Sequence, residues 1–331
     1  MDKNAIKKYA VWARRELIEK VSQKALQYGI EDGKELDFQA DSINGVLLTA
    51  AEKRQRQALI RKIKDEGYIQ TIEEVAFTWF NRFIALRFME VNGYLPSHVR
   101  VFTDENNNYN PQILAEALHL EFDSIDKEKV LEMKDQNRDE DLYKYLLIAQ
   151  CNELNKILPI MFQPISDCYE LLLPDYLLRE GSVTEQLITC IPQDDWNDQV
   201  QIVGWLYQFY NTEPKEVAFS GNGKFQKNEI PAATQLFTPN WIVKYMVDNS
   251  LGRLWNKARP ETNVLDVLRY FEEVEDDVNG ENPYQGLDPQ TIKCLDPCMG
   301  SGHILAYAFD VLVKIYGSSG VIVDENHPHP Q

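Results

Sequence analysis

The chain has no long apolar run. None of its hydrophobic stretches approaches the roughly 18 to 20 residues that a helix needs to span a bilayer. The first residues, MDKNAIKKYAVWARRELIEK, mix charge with apolar residues at helical spacing and contain no signal-peptide core. These two absences predict a cytosolic protein with no membrane association.

Cysteine and positive charge are also scarce. The five cysteines are odd in number and scattered, which predicts free thiols rather than a disulfide framework. Cys294 and Cys298 flank one turn, but two further ligands are missing, so no zinc or other metal is expected. The chain has 34 Lys and Arg against 52 Asp and Glu, a net charge of −18. This balance disfavours a protein that grips DNA mainly through its own charge.

Hydrophobic residues make up 44% of the 331 residues, which predicts a globular protein with a large core and two or three domains. The first segment is predicted to be a helix that stops near Gly29, because apolar residues recur every three or four positions. These are Ile6, Ala10, Ala13, Leu17, Val21 and Ala25. Residues 73–96 predict a long apolar helix closed by Asn92 and Gly93, with Trp79 in the core. Residues 200–211 fit a buried helix or a strand, and periodicity does not decide between them.

One local segment is basic despite the acidic total. Residues 51–64, AEKRQRQALIRKIK, contain six basic side chains and one acidic side chain. The usual interpretation of such a run is a solvated helix face. The alternative is a set of contacts to DNA phosphates. The candidates are Lys53, Arg54, Arg56, Arg61, Lys62 and Lys64.

A linker is predicted at residues 219–233, where glycines, lysines and polar residues precede a proline. It divides a mainly helical region, residues 1–225, from a second domain that starts within residues 226–331. The second domain opens with TQLFTPNWIVKYMVDNSLGRLW. Here Thr238 is the predicted N-cap and Pro239 the first helical residue. Ile242, Val243, Met246 and Val247 form the predicted apolar face.

The segment TIKCLDPCMGSGHILAYAFDVLVKIY predicts a strand at residues 292–295, a glycine turn and a helix from His303. Gly300 and Gly302 permit a sharp turn and a close approach of backbone to a ligand. The helix N-terminus that follows favours an anionic group, and such strand ends bind nucleotide-like ligands in open α/β sheets. No GK[ST] follows, which excludes a P-loop, and the third glycine of GxGxxG is missing.

The two motifs together, QLFTP before LDPxxGSGxxL, resemble the first motifs of amino-group DNA methyltransferases. Over residues 1–316 the chain resembles the N-terminal part of the adenine-specific DNA methyltransferases of BREX phage-defence systems. The resemblance implies methyl transfer from S-adenosylmethionine to the exocyclic amino group of adenine in double-stranded DNA. It also implies that the modification marks host DNA as self and that the enzyme excludes phage together with other BREX proteins.

The implied fold is an α-helical N-terminal region followed by the beginning of an α/β Rossmann-like methyltransferase domain. The residues that match the family's cofactor motifs are Phe237, Thr238, Pro239, Asp296, Pro297, Gly300, Ser301, Gly302 and His303. The resemblance implies that Asp296 accepts from the cofactor ammonium group or orders a water beside it. The backbone from Gly300 to His303 would cradle the methionine part, and Pro297 and Cys298 would shape the turn.

The chain departs from the family pattern after the glycine turn. The catalytic tetrad [DN]-P-P-[YF], which grips the flipped adenine, is absent. Asn282-Pro283-Tyr284 is a near match that lacks the second proline, and we expect it to be an ordinary turn. Asp324, after the apolar run 321–323, fits either a ribose-binding acid or a terminal tail. His327 and His329 are too near the end to build a metal site.

These departures predict a truncated chain that does not methylate DNA alone and binds cofactor weakly or not at all. A second hypothesis is a non-catalytic module, in which the acidic helical region binds defence-system partners. A third is a fragment of the modification subunit of a restriction-modification enzyme. The DNA recognition sequence does not follow from the residues.

Overall fold

The computed structural model describes residues 1–163, 168–197, 200–221, 223–227, 229–234, 236–262, 264, 268–272, 282–297, 299 and 302–318. The chain divides into two compact units, residues 1–233 and residues 234–331. The division falls at the carboxyl end of the segment 219–233, where the sequence predicts a linker.

The first unit is helical. Its long helices are α1 (Lys3–Gln27), α2 (Ala50–Glu66), α3 (Tyr68–Val91) and α6 (Asp139–Asn155). Its shorter helices are α4 (Gln112–Ala115), α5 (Lys127–Asp135), α7 (Cys168–Leu171), α8 (Val183–Cys190), α9 (Gln201–Tyr210) and α10 (Thr212–Ser220). A 3-10 turn spans Gln193–Asp195, and α11 (Ile230–Thr234) ends at the division. Two short antiparallel strands, β1 (Ser42–Ile43) and β2 (Val46–Leu47), form a hairpin before α2.

The predicted stripe of α1 is confirmed, because all six of its apolar residues are buried. The carboxylate of Asp2 caps the helix by accepting from the backbone N–H groups of Asn4 and Ala5. Gly29 ends it with φ +68°, a conformation that glycine adopts without strain. The buried face of α1 packs against α3, α8 and α9.

The apolar helix predicted at residues 73–96 is α3, which begins earlier, at Tyr68, and ends at Val91. Gly67 separates it from α2, and Gly93 follows its end with φ +70°. Trp79 is fully buried, as predicted. For residues 200–211 the sequence allows either a helix or a strand, and the structure forms helix α9 there. The buried residues of α9 face α1 and α3. Among the described residues, no helix has both the length and the apolar character required to cross a bilayer.

The second unit is built on α12 (Asn240–Val247), a π-helical segment (Asp248–Gly252), α13 (Arg253–Ala258), a 3-10 turn (Pro289–Thr291) and α14 (His303–Ser318). Its core joins these helices to the segment after α13. The core residues are Val247, Leu251, Trp255, Val264, Leu268, Ala308, Val311 and Ile315.

The strand predicted at residues 292–295 is not formed, and this prediction was wrong. The segment is irregular and Leu295 is 86% exposed. A strand is defined by hydrogen bonds to a neighbouring strand. Among the described residues, the only paired strands are β1 and β2 in the other unit. A Rossmann-like start is therefore not evident in the described part of this chain.

Candidate functional site

The F-T-P segment lies against the first residue of α14. The ring of Phe237 stacks on the imidazole of His303, with a centroid distance of 4.4 Å and an interplanar angle of 29°. Nε2 of His303 lies 2.9 Å from the carbonyl oxygen of Thr238. Because a carbonyl can only accept, Nε2 carries the proton in this hydrogen bond. His303 therefore joins two motifs that are separated by more than sixty positions in the sequence.

The start of α12 differs by one residue from the prediction. Pro239, not Thr238, is the N-cap, and the helix begins at Asn240. The carbonyl of Pro239 accepts from the backbone N–H groups of Ile242 and Val243 at 3.0 and 3.1 Å. Of the predicted apolar face, Val243 and Val247 are buried, whereas Met246 is 48% exposed. The α12 stripe packed against the core is thus narrower than the sequence suggests.

The glycine turn is described only in part. Gly302 has φ +78°, in the left-handed region that favours glycine, directly before α14 begins. The carbonyl of Gly302 accepts the hydrogen bond from Ala306 N at 2.9 Å, which opens the helix. Asp296 is half-buried and Pro297 is exposed. Cys298, Gly300 and Ser301 lie outside the described residues.

The first turn of α14 has the general property of a helix N-terminus. Its amide groups point out of the helix, and the helix dipole makes this end electropositive. The helix has 16 residues, long enough for this effect. An anionic group placed beside Gly302 and His303 would therefore be stabilised. The ring of Phe237 is buried, with 6% of the residue exposed, and it covers the imidazole of His303 on one side.

A buried carboxylate fixes α14 in the second unit. Asp248, in the π-helical segment, accepts from the hydroxyl of Tyr307 and from the backbone N–H of Tyr270, both at 2.9 Å. Burial of Tyr307 and its hydrogen bond to Asp248 raise the pKa of the phenol. Asp248 was not predicted from the sequence as a site residue. The local sequence offers little signal, because Asp248 is followed by two other polar residues, Asn249 and Ser250.

The basic segment forms a helix, α2, but half of its candidate phosphate ligands have internal partners. Arg56 is buried and donates to the carbonyl oxygens of Tyr28 and Asp37 at 2.8 and 2.5 Å. This residue was wrongly chosen as a DNA contact, because its guanidinium closes the preceding loop. Lys53 pairs with Asp41, and Lys62 pairs with two glutamates.

Three members of the basic segment remain exposed. Arg54 is on the surface. Arg61 and Lys64 are also exposed, and their cationic groups lie 5.2 and 6.0 Å from the ring centroid of Phe38. These residues can still reach an external anion. The segment therefore offers a smaller positive surface than its composition indicates.

The remaining sequence candidates lie either in a turn or outside the described residues. Asn282, Pro283 and Tyr284 begin a turn, as predicted, in which the Asn282 side chain accepts from Tyr284 N at 3.0 Å. Asp324, His327 and His329 lie outside the described residues. Within the described part of the chain, no three His, Cys, Asp or Glu side chains are grouped as metal ligands would be.

Comparison with known proteins shows which class of protein the chain is similar to. No protein-family model matches the chain. The curated proteins that it resembles are adenine-specific methyltransferases, and the resemblance extends over 97% of the chain. The predicted relationship is therefore confirmed: the chain is related to this class of protein.

Two particular relatives carry the relationship. Adenine-specific methyltransferase PglX of Lacticaseibacillus casei (strain Zhang) is 40% identical, and the match covers 97% of this chain and 30% of the relative. Adenine-specific methyltransferase BrxX of Escherichia coli O9:H4 (strain HS) is 39% identical, with 97% and 28% covered. The chain thus spans less than a third of the length of these relatives, in agreement with a resemblance to one portion of them.

Proposed function

We propose that this chain supplies the helical region and the first part of the cofactor site of an adenine-specific DNA methyltransferase of a BREX phage-defence system. The observation that carries the proposal is the contact of His303 with Phe237 and Thr238, because it unites the F-T-P segment with the start of α14. Similarity to PglX and BrxX over 97% of the chain supports it independently.

The cofactor of this reaction is S-adenosylmethionine, which supplies the methyl group when bound. The residues fit the methionine end of this molecule. The N-terminus of α14 at Gly302 and His303 suits its carboxylate. The half-buried carboxylate of Asp296 suits its ammonium group, and Phe237, Thr238 and Pro239 would line the same end. Pro297, Gly300 and Ser301 complete the proposed turn, and Asp324 remains the candidate for the ribose hydroxyls.

His303 is a positioning residue in this proposal. Its protonated Nε2 holds the carbonyl of Thr238, and its ring covers the buried face of Phe237. Asp248 supports this arrangement indirectly, because its hydrogen bond to Tyr307 anchors α14. Together these contacts keep the F-T-P segment and the helix N-terminus side by side, so that the cofactor meets a preorganised surface.

We further propose that the second unit is the beginning of a Rossmann-like methyltransferase domain. On α14, Phe309 and Val313 are 42% and 43% exposed, although other apolar residues of the same helix form the core. On α12, Trp241 and Tyr245 are 58% and 43% exposed. A helix that is apolar on two sides is normally buried on both. The rest of the domain in longer relatives would cover these surfaces.

Calorimetric titration with S-adenosylmethionine tests the cofactor site. Because the exposed faces leave the proposed domain incomplete, we expect the chain to bind the cofactor weakly. Asp296→Ala should remove whatever saturable binding is measured. Absence of binding to a folded chain, even at cofactor concentrations far above the chain concentration, would contradict a functioning site in this chain.

A matched pair of variants tests His303. His303→Ala removes both the hydrogen bond and the ring contact, whereas His303→Asn keeps a side-chain N–H donor. If His303 positions Thr238, His303→Asn should retain more cofactor affinity than His303→Ala, by several-fold, since one neutral hydrogen bond is worth about 0.5–1.5 kcal/mol. Equal affinities of the two variants and the unchanged chain would exclude this role.

Methyl transfer is the third test. The proposed substrate is double-stranded DNA, but the chain has no [DN]-P-P-[YF] tetrad. We therefore expect no radiolabelled methyl transfer to unmodified DNA by the purified chain. Transfer above that of a heat-denatured control would disprove the inference that catalysis requires residues beyond this chain. Association with other BREX proteins is a further proposal, which co-purification can test.

A further inference from the structure

The solvent-facing side of α1 forms a groove with a positive edge. Six residues line an open depression of about 400 Å³: Asn4, Lys7, Lys8, Val11, Trp12 and Arg15. They recur at spacings of three and four, so they share one side of the helix, opposite the buried stripe that begins at Ile6. Among the residues that the structure describes, none of those lining this groove is acidic. In a chain of net charge −18, such a surface is an exception.

Two lysines of this groove are available to an external anion. Lys7 and Lys8 are both exposed. Among the described residues, neither has a carboxylate within ion-pair distance. Arg15 differs, because its guanidinium donates to Glu213, which Arg14 also approaches at 3.7 Å. The positive charge of the groove therefore rests mainly on the two lysines.

The floor of the groove is apolar and fixed. Val11 and Trp12 are half-buried, and the Trp12 ring lies 6.1 Å from the buried ring of Tyr9. Lys3 extends the positive edge by one turn, with its ammonium 4.1 Å from the ring centroid of Trp205. Cationic groups above an apolar surface of low dielectric attract anions more strongly than the same groups in open water.

We propose that this face of α1, from Lys3 to Arg15, binds the phosphate backbone of DNA. It comprises thirteen residues, whose twelve steps of about 1.5 Å extend over about 18 Å of helix. A duplex rises about 3.4 Å along its axis per phosphate of one strand, so this length matches about five base-pair steps. Lysines act as flexible point charges suited to such contacts, and the contacts carry no sequence information. The choice of DNA over an acidic peptide rests on the proposed function.

The test is titration of a fluorescein-labelled DNA duplex with the full chain, followed by fluorescence anisotropy over a series of salt concentrations. The variant is Lys7→Glu with Lys8→Glu. The control with the same charge change is Lys127→Glu with Lys129→Glu on α5. A third variant, Arg54→Glu with Lys64→Glu, tests the rival basic surface of α2. Circular dichroism checks that every variant keeps its helices.

The proposal requires that the α1 variant weaken binding by at least tenfold and that the α5 control change it by less than threefold. The α2 variant must lose less affinity than the α1 variant. Replacing both lysines by alanine should lower the slope of log affinity against log salt by about 2, because each phosphate contact contributes about 0.9. An unchanged affinity of the α1 variant, a greater loss in the α2 variant, or no duplex binding by the unchanged chain would overturn it.

Poly-glutamate is the competing ligand. One outcome is that poly-glutamate binds the unchanged chain, that this binding requires Lys7 and Lys8, and that the DNA duplex does not bind. In that case the face serves an acidic protein partner and the proposal is overturned. The cofactor titration uses residues of the other unit. A chain that binds the duplex but not the cofactor would therefore refute only the cofactor site. A chain that binds the cofactor but not the duplex would refute only this inference.

Discussion

Glu90 shows how a single buried charge organises the first unit. Its Oε2 accepts from the backbone N–H groups of Val101 and Phe102 at 2.5 and 2.7 Å. Its Oε1 accepts from the hydroxyl of Thr103 at 2.8 Å and from the guanidinium of Arg87 at 2.6 Å. The side chains of Arg87 and Glu90 are completely buried. The pair therefore ties the loop after α3 to the end of that helix.

Glu90→Ala should lower the free energy of unfolding by about 3–5 kcal/mol, because it leaves the Arg87 charge buried without its partner. Denaturant unfolding followed by circular dichroism measures the change. The control is Glu105→Ala in the same loop. Its side chain is exposed, so a change within about 0.5 kcal/mol is expected. Similar losses for the two variants would disprove the organising role of Glu90.

Asp175 gives the stability a dependence on pH. It accepts from Lys24 at 2.8 Å and from Lys144 at 2.6 Å. Burial by itself would raise the pKa of this carboxyl, but the two ammonium groups hold it below its usual range. A lowered pKa means that the folded state favours the ionised carboxyl. The stabilisation is present above the ordinary carboxyl pKa of about 3.9 and is lost as the pH falls through the lower, folded value.

Asp175→Asn should therefore reduce the free energy of unfolding by about 1.5–3 kcal/mol near neutral pH, since it replaces charge-assisted hydrogen bonds. The difference from the unchanged chain should shrink when unfolding is measured in acid, below the ordinary carboxyl pKa. Asp135→Asn, at an exposed position, is the control and should show neither effect. A loss that is independent of pH would contradict the assignment.

At the scale of elements, the π-helical segment permits close packing in the second unit. Gly252 ends this segment with φ −61°, so an alanine would suffer no backbone strain there. A Cβ at this position would, however, overlap Cδ1 of Leu268. An alanine at this helical position would therefore require the Leu268 side chain to shift. Glycine allows the segment after α13 to pack close to the helix.

Gly252→Ala should destabilise the second unit by about 1–3 kcal/mol through overpacking. Gly317→Ala in α14 is a matched control, because no described atom lies within 4 Å of a Cβ placed there. Alanine at such an open helical position should be stabilising by about 0.5–1 kcal/mol. In a Leu268→Ala background the penalty of Gly252→Ala should disappear. A persistent penalty would show that steric overlap is not its cause.

At the scale of the whole molecule, both units expose some apolar residues, such as Ile160 in the first unit at 91%, but the first unit has the more extensive packing between helices. In the first unit, α1 packs on α3, α8 and α9, α2 packs on α3 and α7, and α6 packs on α4 and α5. Its largest core side chains, such as Trp79 and Tyr143, are fully buried. The second unit leaves apolar residues of both α12 and α14 exposed.

We therefore expect residues 1–233 to fold without the rest of the chain. Expressed alone, they should show a helical circular dichroism spectrum and one cooperative thermal transition, because α1 packs on α3, α8 and α9 within the same unit. The second unit expressed alone is the comparison, and it should bind an apolar dye through exposed residues such as Trp241. A first unit without a cooperative transition would refute this expectation.

Some features of this protein were predictable from the sequence because they depend on neighbouring residues. The apolar stripe of α1, its end at Gly29 and the burial of Trp79 all follow from spacing and from backbone preferences. The family relationship was also carried by short motifs in a fixed order. The F-T-P segment and the glycine turn could therefore be proposed as one site before the contact of Phe237 and Thr238 with His303 was known.

Other features required the tertiary structure because they depend on residues far apart in the sequence. The choice of a helix for residues 200–211 reflects packing against α1, and the burial of Arg56 reflects carbonyls of a distant loop. The segment 292–295 has strand-like composition, but a strand also requires a neighbour to pair with. The contact of His303 with Phe237 and Thr238 is of the same kind. Local periodicity determines which face of a helix is apolar, whereas the partner that covers that face is determined only when the chain folds.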